Sequence, residues 1–347
     1  MTRLNFHILI LLFSVVTSCK KKEIGPQCPT CTEEDIAIKY DDVLIGCEGN
    51  FGWGNASISL FNPTNSSITN TVFQNINGYA LGDVLQSITE HNGHLFAVVN
   101  NSGKIEVLDT ATYQKTATIN GLTSPRYFCG INNSKAYVSD LFSDQITILD
   151  LANNSVIGNI NAGGWTEEML LFNNKVYACR PDTNFILQIN ASTNSIEDTI
   201  VVGKGPSSVV LDNNNKLWVL SSGGMNEEQG ELNQIDPSTN LVIKKLVFAD
   251  ISTSPNNLKI SPNGETMYYL NNGVNKLSVY ATALPSSPII NENGALFYGL
   301  GISPTHDIYV SDAVDYVQSG IIYRYDSTAL LKDQFSVGII PQAFWFK

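Results

Sequence analysis

The chain has 347 residues, with 20 basic and 32 acidic side chains and a net charge of −12, and charged residues make up only 15% of it. That balance, with no Lys/Arg cluster beyond Lys20–Lys22, argues against nucleic acid as a partner. Abundant Asn, Ser and Thr suit an all-β chain rich in tight turns, and the length allows one large repeat fold or two ordinary domains.

Residues 1–18 read as a lipoprotein signal peptide. Arg3 is the positive head, an apolar run too short for a comfortable membrane span follows, and Val16-Thr17-Ser18-Cys19 has the form of a lipobox. Cleavage before Cys19 would place a diacylglycerol on its sulfur and acylate the new amino terminus, a two-signal membrane anchor. The competing reading is a secretory signal with an incidental cysteine. Residues 19–42 read as a lipidated flexible tether, because Lys20-Lys21-Lys22-Glu23 and Gly25-Pro26-Gln27 carry charge and helix breakers without apolar periodicity. Cys28-Pro29-Thr30-Cys31 lies inside it. Neither the further ligands of a zinc site nor the βα context of a redox pair accompanies it, so a local disulfide or inert thiols is the favoured reading. Cys47, Cys129 and Cys179 fall in apolar runs and read as core.

From residue 43 to 347 one unit recurs: an alternating strand that ends in Asp or Asn, then a turn. Its copies are Ser59-Leu60-Phe61-Asn62, Val107-Leu108-Asp109, Ile148-Leu149-Asp150, Gln188-Ile189-Asn190, Gln234-Ile235-Asp236 and Arg324-Tyr325-Asp326, with a degenerate copy, Ser278-Val279-Tyr280-Ala281, aligned on Ala281. The interval runs from about 40 residues to about 47, the length of a four-stranded propeller blade. The side-chain oxygen of the repeated Asp or Asn can accept from a backbone N–H two residues on and lock the turn, which makes it a scaffold residue. In the second copy, Val84–Thr89, Leu95–Val99, Ile105–Leu108 and Thr116–Ile119 read as strands a to d. Innermost strands start after Ser124-Pro125, Gly205-Pro206, Ser254-Pro255 and Ile340-Pro341. Pro341–Phe346 is an inner strand with no blade after it, and Val43–Phe73 reads as three outer strands with no inner strand before them. The predicted fold is therefore an all-β, seven-bladed β-propeller of four-stranded blades, closed by the C-terminal strand completing the first blade. The hairpin Gly103-Lys104-Ile105-Glu106-Val107-Leu108-Asp109-Thr110-Ala111-Thr112 and its echoes resemble the YVTN or YncE-like bacterial propellers, which implies a fold more than an activity.

The two faces of such a ring differ in sequence. The a–b and c–d turns are short and bland, whereas the b–c loops and d–a connections collect Phe51, Trp53, Tyr79, Arg126, Tyr127, Phe142, Trp165, Arg180, Asp312 and Tyr316 among Gly and Asn. Loop-borne aromatics of this kind make a surface for stacking on a large ligand or a partner, although packing of individual rings at the blade ends is an equal alternative. His91, His94 and His306 all fall in a–b turns, so no histidine can serve catalysis or a metal on the aromatic face. Glu48, Asp83, Glu167, Asp312 and Asp315 are available there as carboxylates, but no spacing singles out a pair. No Ca²⁺ loop or phosphate-binding glycine loop is visible. The chain is read as a binding protein without cofactor, not an enzyme.

A narrower resemblance lies in Glu48-Gly49-Asn50-Phe51-Gly52, Asn55-Ala56-Ser57-Ile58-Ser59, Asn77-Gly78-Tyr79-Ala80-Leu81-Gly82-Asp83 and Val99-Asn100-Asn101-Ser102-Gly103-Lys104. These stretches are similar to the surface propeller lipoproteins of Bacteroidota, a group that includes the BtuG-type vitamin B12 capture proteins. The resemblance implies a lipid-anchored outer-membrane protein at the cell surface that binds a corrinoid (cobalamin) for a TonB-dependent outer-membrane transporter. Lys20–Lys22 are not the acidic run of a surface-export signal, so the periplasmic face stays open. The alternative is a protein- or glycan-binding scaffold or adhesin. A propeller lyase or lactonase is disfavoured by the placement of the histidines.

Overall fold

The structure, a computed structural model, describes residues 40–347 apart from Met225. The signal peptide, Cys19 and the Cys28/Cys31 pair lie outside the described residues. Alternation of the kind seen in Lys104-Ile105-Glu106-Val107-Leu108-Asp109 folds into seven antiparallel sheets, the blades of a β-propeller. Blade 1 is composite. Its inner strand Pro341–Phe346 pairs with Val43–Cys47, which is followed by Ser57–Asn62 and Ser67–Thr69. Blade 2 runs from Leu85–His91 to Lys115–Asn120, blade 3 from Pro125–Asn132 to Ser155–Asn161, and blade 4 from Met169–Phe172 to Ser195–Val201. Blade 5 runs from Pro206–Leu211 to Leu241–Val247, and blade 7 from Phe297–Ile302 to Leu331–Ile339.

Blade 6 keeps three strands, Asn256–Ile260, Thr266–Leu270 and Val274–Ser278, and its fourth is reduced to one bridge between Val274 and Ile290. Pro285 and Pro288 stand where that strand would run, and each lacks the N–H a ladder needs. The turn oxygens behave as expected. Asn62, Asp109, Asp150, Asn190, Asp236 and Asp326 accept from the N–H two residues on at 2.8–3.0 Å. In blade 6 the Ser278 hydroxyl takes this role, accepting from Tyr280 N at 3.2 Å, so the equivalent position is Ser278 and not Ala281.

Apolar residues of neighbouring blades interlock. Leu44 and Ile58 of blade 1 pack with Leu85, Leu95 and Ala97 of blade 2, and Val43, Ile45 and Phe61 pack with Tyr309 and Ile322 of blade 7. Gly299 and Gly301 lie so close to Gln342 and Phe344 that a Cβ would come within 2.6 and 2.8 Å of the closing strand. The packed body reaches back past Val43. The Tyr40 hydroxyl meets that of Tyr309 at 2.6 Å, and Asp42 O accepts from Lys347 N at 3.0 Å, so this end of the expected tether belongs to the propeller. Phe73, read as the end of an outer strand, lies in a short helix, Val72–Asn77, and is buried against the seam between blades 1 and 2. Cys47, Cys129 and Cys179 are buried free thiols. Among the described residues no helix is long and apolar enough to cross a membrane.

Candidate functional site

All seven inner strands line a central cavity of about 490 Å³. Its wall changes character along the axis. Gln86, Tyr127, Glu168, Asn257 and Gln342 stand where the inner strands begin, and Ile88, Val210, Ile260, Ile302, Phe344 and Phe346 stand toward their far ends. The polar end opens among the b–c loops and d–a connections.

The backbone explains why polar residues gather there. The ladder between inner strand and second strand slips by one residue at the start of six blades, at Gln86, at Arg126-Tyr127, at Ser207, at Asn257-Leu258, at Tyr298-Gly299 and at Gln342. Blade 4 does the same just before its strand, where Glu167 N and Glu168 O both bond to Cys179. Each is a β-bulge, which leaves an extra residue unpaired and re-aims its side chain. The ring of bulges places side chains around the mouth that regular alternation would have put elsewhere.

Three of these residues meet in a buried cluster. Arg126 holds Glu167 with two prongs, Nε to Oε1 at 2.7 Å and Nη2 to Oε2 at 3.2 Å, and its Nη1 donates to Gln86 Oε1. Trp165 Nε1 donates to the same Glu167 oxygen at 2.6 Å. Across the mouth Lys259 Nζ donates to Glu168 Oε1 at 2.8 Å. Glu48, the first residue after Val43–Cys47, accepts from the Tyr298 hydroxyl at 3.2 Å and has no basic partner in contact. Burial pushes its carboxyl up to about 7, against the lowering effects of Tyr298 and Arg126 and with Glu167 adding to the rise. Burial also raises Glu167, opposed by Arg126 and Trp165. Three polar atoms around the mouth are buried without a hydrogen-bond partner: Gln86 Nε2, Ser207 Oγ and Gln342 Oε1.

Above the mouth, Phe51, Trp53 and Phe142 are 72%, 79% and 77% exposed. Their loops are nonetheless held firmly. Asp83 Oδ2 accepts from Gly52 N at 2.8 Å and from Asn101 Nδ2 at 2.5 Å, Asn55 Oδ1 accepts from Asn50 N at 2.7 Å, and Asn50 Nδ2 donates to Tyr316 O at 2.7 Å. Asn50, Asn55, Asp83 and Asn101 thus form one network fixing the loop that carries Phe51 and Trp53. Asp140 fixes the Phe142 loop, accepting from Phe142 N and Ser143 N at 2.9 and 2.8 Å.

The sequence-derived residues divide by position. Arg126, Tyr127 and Trp165 converge on the mouth, and Tyr316 joins them edge-on to Tyr298 with centroids 5.7 Å apart. Phe51, Trp53 and Phe142 stand on loops of the same face. Tyr79 leaves it: its ring packs on Phe73 and its hydroxyl approaches Glu106, on the flank between blades 1 and 2. Arg180 is spent within the fold on the carbonyls of Ala162 and Gly163 and on Asp182. Asp312 caps Leu296 N and Val314 N, both at 2.8 Å. His91, His94 and His306 lie in a–b turns on the opposite face. Of the five carboxylates, Glu48 and Glu167 come together around Arg126. Gln86, Ser207, Asn257, Lys259, Tyr298 and Gln342 escaped the sequence reading, although Ser207 and Gln342 directly follow prolines that mark inner-strand starts.

The chain belongs to the family described as a domain of unknown function, DUF5074, whose profile matches residues 41–336. No curated protein matches it in sequence. In structure it is similar to a quinoprotein alcohol dehydrogenase-like protein from Bacteroides thetaiotaomicron, with 14% identity and a TM-score of 0.69 over 87% of this chain and 78% of that one. It is also similar to a protein from Lactobacillus plantarum, with 13% identity and a TM-score of 0.68 over 89% of this chain and all of the other. At such identity these likenesses establish the propeller fold alone.

Proposed function

We propose that the chain captures a large amphipathic ligand over the channel mouth and does not transform it, with a corrinoid as the named candidate, handed on to a TonB-dependent outer-membrane transporter. In this reading Cys19 carries the lipid anchor on the outer membrane. One observation carries the proposal: tightly hydrogen-bonded loops hold Phe51, Trp53 and Phe142 out in solvent beside a polar, aromatic-lined mouth. Exposed aromatics on fixed loops mark a binding surface, because covering them gains apolar burial at little cost in ordering. A wide, amide-fringed disc would lie on the rings and turn its polar edge to the mouth. The placement of all the histidines among the described residues on the other face, and the spending of Arg126 on Glu167, support binding without turnover.

The test is titration of the purified chain with cyanocobalamin, read by calorimetry and by corrin absorbance co-eluting on gel filtration. Saturable one-to-one binding is expected. No binding at high micromolar ligand would refute the corrinoid, and recovery of an envelope protein or glycan on the same face would then identify the chain as a scaffold.

A further inference from the structure

Two of the bulges sit side by side where the ring closes. Gln86 opens the inner strand of blade 2 and Gln342 that of blade 1, and both line the channel. Gln86 is 1% exposed. Its Oε1 accepts from Arg126, which fixes the orientation of the amide and commits Nε2 as a donor. That Nε2 lies near enough to the Tyr127 hydroxyl to lower the phenol's acid constant, but it makes no hydrogen bond of normal geometry. Gln342 Oε1 is likewise buried and unpaired. Folded proteins rarely leave buried polar atoms in this state, and each one calls for an explanation, a bound group among them.

We propose that Gln86 and Gln342 form a subsite for a neutral primary carboxamide of the ligand, whose carbonyl oxygen accepts from Gln86 Nε2 while its N–H donates to Gln342 Oε1. This deepens the reading of the mouth as a ligand site and rests on it. The charges of the wall point the same way. Arg126 and Lys259, the cations bordering the mouth among the described residues, are each spent on a carboxylate, so neither is free to receive an anionic group. A cationic group would enter beside Arg126 and Lys259, whose carboxylate partners are already engaged. An amide brings one acceptor and two donors without charge, which matches the unspent donor and acceptor.

Benzamide, benzoate and benzamidinium are near-identical in shape and differ in charge and hydrogen-bonding pattern. Their binding to the full chain is measured by tryptophan fluorescence and calorimetry, since Trp165 borders the mouth. Benzamide is expected to bind at least about fivefold more tightly than either ion, the value of one neutral hydrogen bond. Q86L or Q342M, each checked for an unchanged melting temperature, should bring it to the level of benzoate. Should Q86L fail to fold, Q342M carries the test. Equal or tighter binding of benzoate or benzamidinium, no response to any of the three, or benzamide binding untouched by both substitutions overturns the proposal. Failure with cyanocobalamin alongside a benzamide preference would remove the corrinoid and leave this subsite standing.

Discussion

Replacing Glu48 with glutamine should stabilise the protein increasingly as pH rises above about 4.5, with nearly the full gain reached by about pH 7. The Glu48 carboxyl is buried beside Tyr298, without a cation in contact, and burial moves its acid constant from the ordinary 4.5 to about 7. Raising the folded-state value means that the folded protein holds the proton more tightly than the unfolded chain. The wild type therefore has its full share of stability below about 4.5, loses it as pH climbs toward about 7, and stays at the lower level above that. At ~1.4 kcal/mol per tenfold change in proton affinity, the loss amounts to about 3 kcal/mol. Glutamine keeps the shape and an oxygen for the Tyr298 hydroxyl but cannot ionise. The variant should match the wild type near pH 4.5 and exceed it by up to about 3 kcal/mol at pH 8, or about 5 °C in melting temperature for a domain of this size. Scanning calorimetry of both proteins from pH 4.5 to 8.5 measures the difference. A gap that stays constant with pH, or a variant weaker than wild type at pH 8, would show that Arg126 stabilises the ionised carboxylate more than burial opposes it, and would refute the reasoning.

The double variant F51A/W53A should melt within about 2 °C of wild type, because both rings are solvent-exposed, while losing at least about tenfold in cyanocobalamin affinity as centrally placed aromatic anchors do. D83A removes the acceptor for Gly52 N and Asn101 Nδ2, and should cost about 1–3 kcal/mol in urea denaturation and open the 49–55 loop to limited proteolysis. D307A takes from the buried Arg324 guanidinium the partner it holds at 2.6 Å and leaves it Asp333 at 2.9 Å, at a cost of about 1.5–3 kcal/mol. The variant D307L/R324M, which removes both charges, should recover part of that loss in the same denaturation assay.

What could be read from the chain alone was what depends on local chemistry. A turn oxygen and the N–H two residues on are neighbours in sequence, so Asp109 and Asp236 announce themselves, and the inner strand Pro341–Phe346 is legible because no blade follows it. Blade 6 misled the register, since Ser278 performs with a hydroxyl what its counterparts perform with a carboxylate or amide. The helix Val72–Asn77 is too short to show a period. Loop aromatics were visible as a class, but the departure of Tyr79 was not, because it depends on Phe73 and on Glu106, 27 residues further along. The ring of polar residues at the mouth was the least legible feature. A bulge is a mismatch of register between two strands, and no property of Gln86 or Tyr298 by itself reveals one.

The bulges also separate scaffold from site within a repeat. At the end of strand c the seven blades agree, Asp, Asn or Ser in every copy, because the same turn must be locked each time. At the start of strand a they share a backbone deformation and differ in side chain: Gln86, Arg126, Glu168, Ser207, Asn257, Tyr298 and Gln342. A residue required by the fold would recur as the turn residues do. Six kinds of polar side chain across seven equivalent places, with three of the seven residues carrying unpaired buried atoms, therefore follow no requirement of the repeat. The same comparison bears on the burial of Arg126, Glu167 and Glu48 together. The bulged backbone is common to every blade and forms whichever side chain stands there, so the repeat does not itself require this set of groups.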